Sequence, residues 1–173
     1  FTDCLLKHGA SRVHAVDVGK GQLDWRLRND PRVVVHEGIN ARYLTLDDIG
    51  ERVELATIDV SFISLRLVIP PLAEIVDPEG EIIALVKPQF EAGRENVTRG
   101  GVVRDPAVHI GVLKGLLDFI TTETPWGVVG VTHSPLRGPA GNIEYFLHLR
   151  REEGRAVDLA KVVARAHSAL SND

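Results

Sequence analysis

The run Gly80-Glu-Ile-Ile-Ala-Leu-Val-Lys-Pro-Gln-Phe90 identifies a strand buried on both faces, because residues 80–87 are almost continuously apolar over a strand's length. Such strands belong to parallel sheets covered by helices, and this one ends on Lys87. Upstream, Leu55-Ala-Thr-Ile-Asp-Val-Ser-Phe62 lies in a second predicted strand, residues 52–60, and carries Asp59 at its end. The carboxyl ends of strands are where an open α/β sheet presents its ligands and chemistry. Ionised groups are costly to bury alone, so an acid and a lysine at neighbouring strand ends are expected to neutralise one another around a shared site. A buried ion pair without a chemical task is the plain alternative.

Working outward, the same alternation continues. Residues 64–76 are apolar at helical spacing, with Pro70 and Pro71 bending or interrupting the helix. Before them come a brief β-branched strand at 32–36, a Gly19-Lys-Gly21 turn followed by a short amphipathic piece through Leu27, and a strand at 12–18. Residues 1–8 read as the end of a helix stopped at Gly9. After Lys87 a polar, glycine-rich loop runs over 88–105, a length that usually marks function. Pro106 then opens a helix to about Thr122. Strands at 126–133 and 142–149, joined by Ser134-Pro-Leu-Arg-Gly-Pro-Ala-Gly141, predict an antiparallel pair, and a helix over 157–170 closes the chain. The fold class is α/β, a doubly wound, mostly parallel sheet ending in an antiparallel hairpin, with residues 1–173 as one domain.

Composition narrows the function classes. The net charge of −4 gives no global basic field toward nucleic acid or anionic lipid, so any RNA contact must come from local patches. The single cysteine, Cys4, excludes an internal disulfide, fits a reducing cytoplasmic compartment and is expected to be a small buried hydrophobe. No apolar stretch reaches the roughly 18 residues that span a bilayer, and no membrane association is expected. The chain opens at Phe1 and contains no methionine, which reads as a piece of a longer protein.

Six motifs carry a family resemblance: Phe1-Thr-Asp-Cys-Leu-Leu6, Ala15-Val-Asp-Val-Gly19, Ile58-Asp-Val-Ser-Phe-Ile-Ser64, Leu85-Val-Lys-Pro-Gln-Phe-Glu91, Gly100-Gly-Val-Val-Arg-Asp105 and Gly141-Asn-Ile-Glu144. In this order they resemble the hemolysin A (TlyA) family of S-adenosylmethionine-dependent ribosomal RNA 2′-O-methyltransferases, related to the FtsJ group. The resemblance implies a Rossmann-like methyltransferase fold. It also implies methyl transfer from S-adenosylmethionine to a ribose 2′-hydroxyl, of cytidine, in ribosomal RNA, with ribosomal subunits as partners. The family uses a Lys-Asp-Lys-Glu tetrad whose last three members match Asp59, Lys87 and Glu144. Its first lysine, first strand and glycine-rich cofactor loop, and an S4-like RNA-binding domain, are expected upstream of Phe1. The missing strand would lie centrally, between those at 12–18 and 52–60.

The chemistry accounts for these residue types. A 2′-hydroxyl is a poor nucleophile while protonated and the sulfonium methyl is already activated, so catalysis means alignment and proton removal. Lys87 would be the base or would hold the 2′-oxygen in line, Asp59 would orient Lys87 and lie near the methyl group, and Glu144 would tune the cluster's charge. Glu144 alone would be an ordinary hairpin charge; its weight comes from the Gly-Asn-Ile-Glu motif. Asp17, followed by Val18, ends its strand where an acid can accept both ribose hydroxyls of an adenosine, the alternative being a turn-forming Asp before Gly19. Asn40 is a candidate for the adenine edge, against simple turn chemistry.

Arg94, Arg99, Arg104 and Arg137 lie on loops expected to border the site and could contact RNA phosphates, although Glu91, Glu95 and Asp105 are interleaved as in a solvated mixed-charge surface. The seven histidines are scattered without paired ligand spacing, so no metal is expected. Two other readings compete: methyl transfer to a non-RNA acceptor, which the same fold could support, and a membrane-active cytolysin, which would need an exposed amphipathic or spanning segment.

Overall fold

The computed structural model describes residues 1–170. Packing gathers the chain into two compact units, Phe1–Arg52 and Val53 onward.

The first unit contains α1 (Thr2–Lys7), β1 (Val13–Asp17), α2 (Trp25–Arg28), β2 (Val33–Glu37) and α3 (Leu46–Ile49). Gly9 follows α1 at φ +96°, a left-handed conformation that ends the helix cheaply only in glycine. Helix α1 buries only Leu6. Cys4 therefore faces solvent, contrary to the expectation of a buried hydrophobe, with Sγ 3.7 Å from His8 Nδ1. Strands β1 and β2 pair in parallel from Val13↔Val33 to Asp17↔Glu37. Asp24 caps α2 by accepting from the Arg26 N–H, and Thr45 and Asp48 form a reciprocal capping box on α3.

The second unit holds β3 (Val53–Ile58), α4 (Leu65–Val68), α5 (Leu72–Ile75), β4 (Val76–Val86), α6 (Pro88–Glu91), α7 (Pro106–Glu123), β5 (Gly127–His133), β6 (Tyr145–Arg150) and α8 (Leu159–Ala169). The sheet order is β3-β4-β6-β5. Strand β4 is parallel to β3 and antiparallel to β6, and β6 is antiparallel to β5, so the predicted hairpin is present with its second strand in the sheet's interior. The pair Pro70–Pro71 separates α4 from α5, because proline lacks the N–H that a continuous helix would use.

Strand β4 starts four residues earlier than its apolar run. The chain stays extended through Pro78-Glu79-Gly80, with a register shift opposite Val53 and Leu55. Gly80 permits this close approach, since a Cβ there would stand 2.8 Å from the Glu54 carbonyl oxygen.

Pro106 occupies the first turn of α7, as the sequence indicates, and Asp105 caps it by accepting the Ala107 N–H. Val112, Leu113, Leu116 and Ile120 then form its buried stripe at three- and four-residue spacing. Helices α7 and α8 pack on each other and on β5. They cover a core that includes Ile82, Ala84, Val86, Leu147 and Leu149, each without accessible surface. Among the described residues β1 has one strand neighbour, β2, and β3 has one, β4; each keeps an edge without a strand partner.

Candidate active site

The end of β3 and the end of β4 lie side by side because the two strands are parallel and in register from Leu55↔Glu81 to Ile58↔Ala84. The next residues, Asp59 and Lys87, meet: Lys87 Nζ is 2.7 Å from Asp59 Oδ1 and donates to Ser61 Oγ at 3.1 Å. The lysine side chain is 15% exposed and the aspartate 49%, so the pair is open to solvent on the acid's side.

Glu144 comes from the connection into β6, one residue before Tyr145, which pairs with Val86. Its carboxyl is buried, and burial raises its pKa. The Lys87 charge and a hydrogen bond from Gln89 oppose that rise, and the Asp59 charge adds to it. Asp59, Lys87 and Glu144 thus form one electrostatic cluster.

Gly138 gives Glu144 its place: a Cβ at 138 would stand 2.6 Å from Glu144 Oε1. Gly138→Ala should therefore displace the carboxylate while the obstructed group, being a side-chain end, yields at little cost. We expect a stability change within about 1 kcal/mol in urea unfolding and a loss of activity of about 10²-fold. Unchanged activity would show that the position of Glu144 is unimportant.

The first unit carries Asp17 at the end of β1 and Asn40 three residues beyond β2. Asp17 Oδ1 accepts the Gly19 N–H at 2.7 Å, which fixes the carboxylate and leaves its second oxygen available. Asn40 Oδ1 accepts the Arg42 N–H at 3.0 Å, leaving the amide donors. Asp17, Val18 and Asn40 are all exposed.

The arginines divide. Arg94, Arg99 and Arg104 are exposed and make no side-chain hydrogen bond or ion pair among the described residues. Arg137 is engaged within the protein. Its guanidinium donates to the Gly141 carbonyl at 3.1 Å and to the Leu170 carbonyl beyond α8, so it braces a helix C-terminus whose carbonyls attract a cation.

Sequence reading missed two features. Phe62, three residues after Asp59, has φ +62° and is 91% exposed, and its ring lies 4.9 Å from that of Phe90, three residues after Lys87. A left-handed phenylalanine costs about 1–3 kcal/mol, and such strain collects at functional sites. Glu91 stands in sequence as one of the acids interleaved with the loop arginines. It accepts from Ser64 Oγ at 2.6 Å and from the Leu65 N–H at 2.8 Å, so it caps α4 and ties the loop after β3 to the helix after β4. The only available hint was its place four residues beyond Lys87. A cleft of about 590 Å³ lined by Trp126, Glu152 and Arg155 lies at the start of β5 and includes none of the cluster.

Residues 1–151 match the model of the FtsJ-like methyltransferase family. The chain belongs to that family. It is 48% identical to the 16S/23S rRNA (cytidine-2′-O)-methyltransferase TlyA of Mycobacterium tuberculosis, over 99% of this chain and 63% of that protein. It is 40% identical to Hemolysin A of Brachyspira hyodysenteriae, over 86% of this chain and 62% of that one. A solved structure from Lactococcus lactis, named only as a candidate hemolysin, superposes with a TM-score of 0.89 at 45% identity, covering 95% of this chain and 81% of the other. The chain thus spans somewhat under two thirds of the length of these curated relatives. Among the described residues no helix is long and apolar enough to cross a membrane, and no three His, Cys, Asp or Glu side chains gather as a metal site would need.

Proposed function

We propose that this chain is the catalytic part of an S-adenosylmethionine-dependent methyltransferase acting on a ribose 2′-hydroxyl, of cytidine, in ribosomal RNA. The contact that carries the reading is Lys87 with Asp59 at the ends of adjacent parallel strands. FtsJ-like enzymes generally use S-adenosylmethionine, which supplies a methyl group already activated by its sulfonium charge. The donor set suits it: the free oxygen of Asp17 fits a ribose diol, and the free amide of Asn40 fits an adenine edge.

The remaining work falls to the cluster. An ammonium has three donors. Asp59 and Ser61 take two of those of Lys87, and the third is left for the hydroxyl oxygen. Holding that oxygen in line removes most of the orientational barrier. Glu144, whose buried carboxyl has a raised proton affinity, sits in the same field as a local acceptor for the departing proton. The exposed Phe62–Phe90 pair is a platform on which an unstacked base can rest, since every base offers a π-face. Arg94, Arg99 and Arg104 supply the phosphate contacts.

Transfer of a labelled methyl group from S-adenosylmethionine by the full-length protein tests the reading. Label should enter ribosomal RNA at a 2′-O-methylated cytidine. Label in protein or small-molecule acceptors, with none in RNA, would replace it with a different methyltransferase.

A further inference from the structure

The four buried polar or charged side chains among the described residues are His109, Ser134, Asn142 and Glu144, and they occupy one neighbourhood. Asn142 is 1% exposed. Its Oδ1 accepts the Val103 N–H at 3.0 Å and its Nδ2 donates to the Gly101 carbonyl at 2.8 Å. Both ends of one amide thus pair with the backbone of the 88–105 loop, as a neighbouring strand would. His109, with no accessible surface, adds a second stitch. Its Nε2 lies 3.0 Å from the Val103 carbonyl, which can only accept, so Nε2 carries the proton and Nδ1 accepts from the Tyr145 hydroxyl at 2.7 Å.

The segment held this way is itself a closed turn. Thr98 accepts from the Gly101 N–H at 2.9 Å and donates its own N–H to Val102 at 3.1 Å. Arg99 lies inside that turn and Arg104 directly follows the clamped Val103. On the other side, Asn142 and Tyr145 bracket Glu144 in sequence, and the Asn142 carbonyl accepts from the N–H of Gly138, the residue against which Glu144 rests. A loop bearing free arginines and a buried catalytic carboxylate are therefore joined by bonds that water cannot easily replace.

Resting on the rRNA reading above, we propose that Asn142 is a positioning residue that locks the arginine-bearing loop to the Glu144 connection, so that an RNA phosphate seated on Arg99 and Arg104 sets the placement of Glu144. Asn142→Asp keeps the shape and the acceptor but removes the donor to Gly101 and places a carboxylate against its carbonyl. In the full-length protein this change lowers kcat for rRNA methylation by about 10²-fold and leaves S-adenosylmethionine affinity within about twofold, a margin small beside that loss. The paired change Arg99→Ala with Arg104→Ala lowers kcat and raises KM in the wild-type background. In the Asn142→Asp background it raises KM alone, because the link to Glu144 is already cut. His109→Phe, which removes the second stitch without a change in backbone pairing by Asn142, gives the same pattern in weaker form.

A kcat unaffected by Asn142→Asp, or losses from the arginines and from Asn142 that simply multiply, would overturn the proposal. Amide exchange supplies a readout independent of activity: residues 101–103 and 142–145 lose protection together in Asn142→Asp. Loss on one side alone would also overturn it. Absence of rRNA methylation by the unaltered protein would remove the functional reading, and the exchange data would then decide the clamp by themselves.

Discussion

Lys87→Ala is expected to reduce methyl transfer to ribosomal RNA by about 10²–10⁴-fold, the range associated with removing a positioned proton-handling group. The effect should fall on kcat, because the hydroxyl oxygen loses its anchor only when substrate is already bound. S-adenosylmethionine affinity, measured by calorimetry, should change little, since the proposed cofactor contacts are Asp17 and Asn40. Folding should also survive. The side chain of Asp59 is 49% exposed, so the carboxylate left behind can be solvated. Lys87→Arg should not rescue activity, because a planar fork cannot reproduce a point charge shared among Asp59, Ser61 and a third oxygen. Near-normal turnover in either variant would take Lys87 out of the mechanism.

The largest effect on stability is expected at Gly127→Ala. At the first residue of β5 a Cβ would stand 2.0 Å from the Glu152 carbonyl oxygen and 2.7 Å from the Gly154 nitrogen. Both obstacles are backbone, so relief requires moving either the strand or the 152–154 turn, and overpacking of this kind costs about 1–3 kcal/mol or more. Urea unfolding should show the loss as a lowered midpoint. Gly130→Ala in the same strand is the control. Its Cβ would meet His148 Cβ at an ordinary 3.5 Å, so the change should be near neutral. Equal stability in the two variants would mean that β5 does not approach the turn so closely.

What was legible in the sequence followed from local physics. The strands ending at Asp59 and Lys87 announced themselves because apolar runs of strand length stopped at an ionisable residue. The helix 106–122 did so through Pro106 at its start. The missed features are those whose cause lies far along the chain. The predicted strand at 80–87 stops short of the observed start at Val76 because the partner of that extension, Val53 on β3, is remote in sequence. Helix α6 is four residues long, too short for any periodicity to register. Arg137 looks like every other loop arginine until α8 brings the Leu170 carbonyl to it. Asn142 stood in a recognised motif, yet its bonds to Gly101 and Val103 span 41 and 39 residues. Phe62 gave no signal at all, because a positive φ in a non-glycine residue leaves no mark on composition.

The place of β6 between β4 and β5 has a consequence for how the polypeptide matures. Translation delivers β3, β4 and the long helix α7 first, and β5 before the one strand through which it joins the sheet. Until Arg150 has emerged, the strand Val76–Val86 presents an apolar edge with no neighbour on that side, and β5 has nowhere to dock. An open edge of this kind is a template for pairing with other chains. The nascent protein is thus vulnerable to misassembly until β6 is made. Any truncation upstream of residue 150 would hold it permanently at that stage.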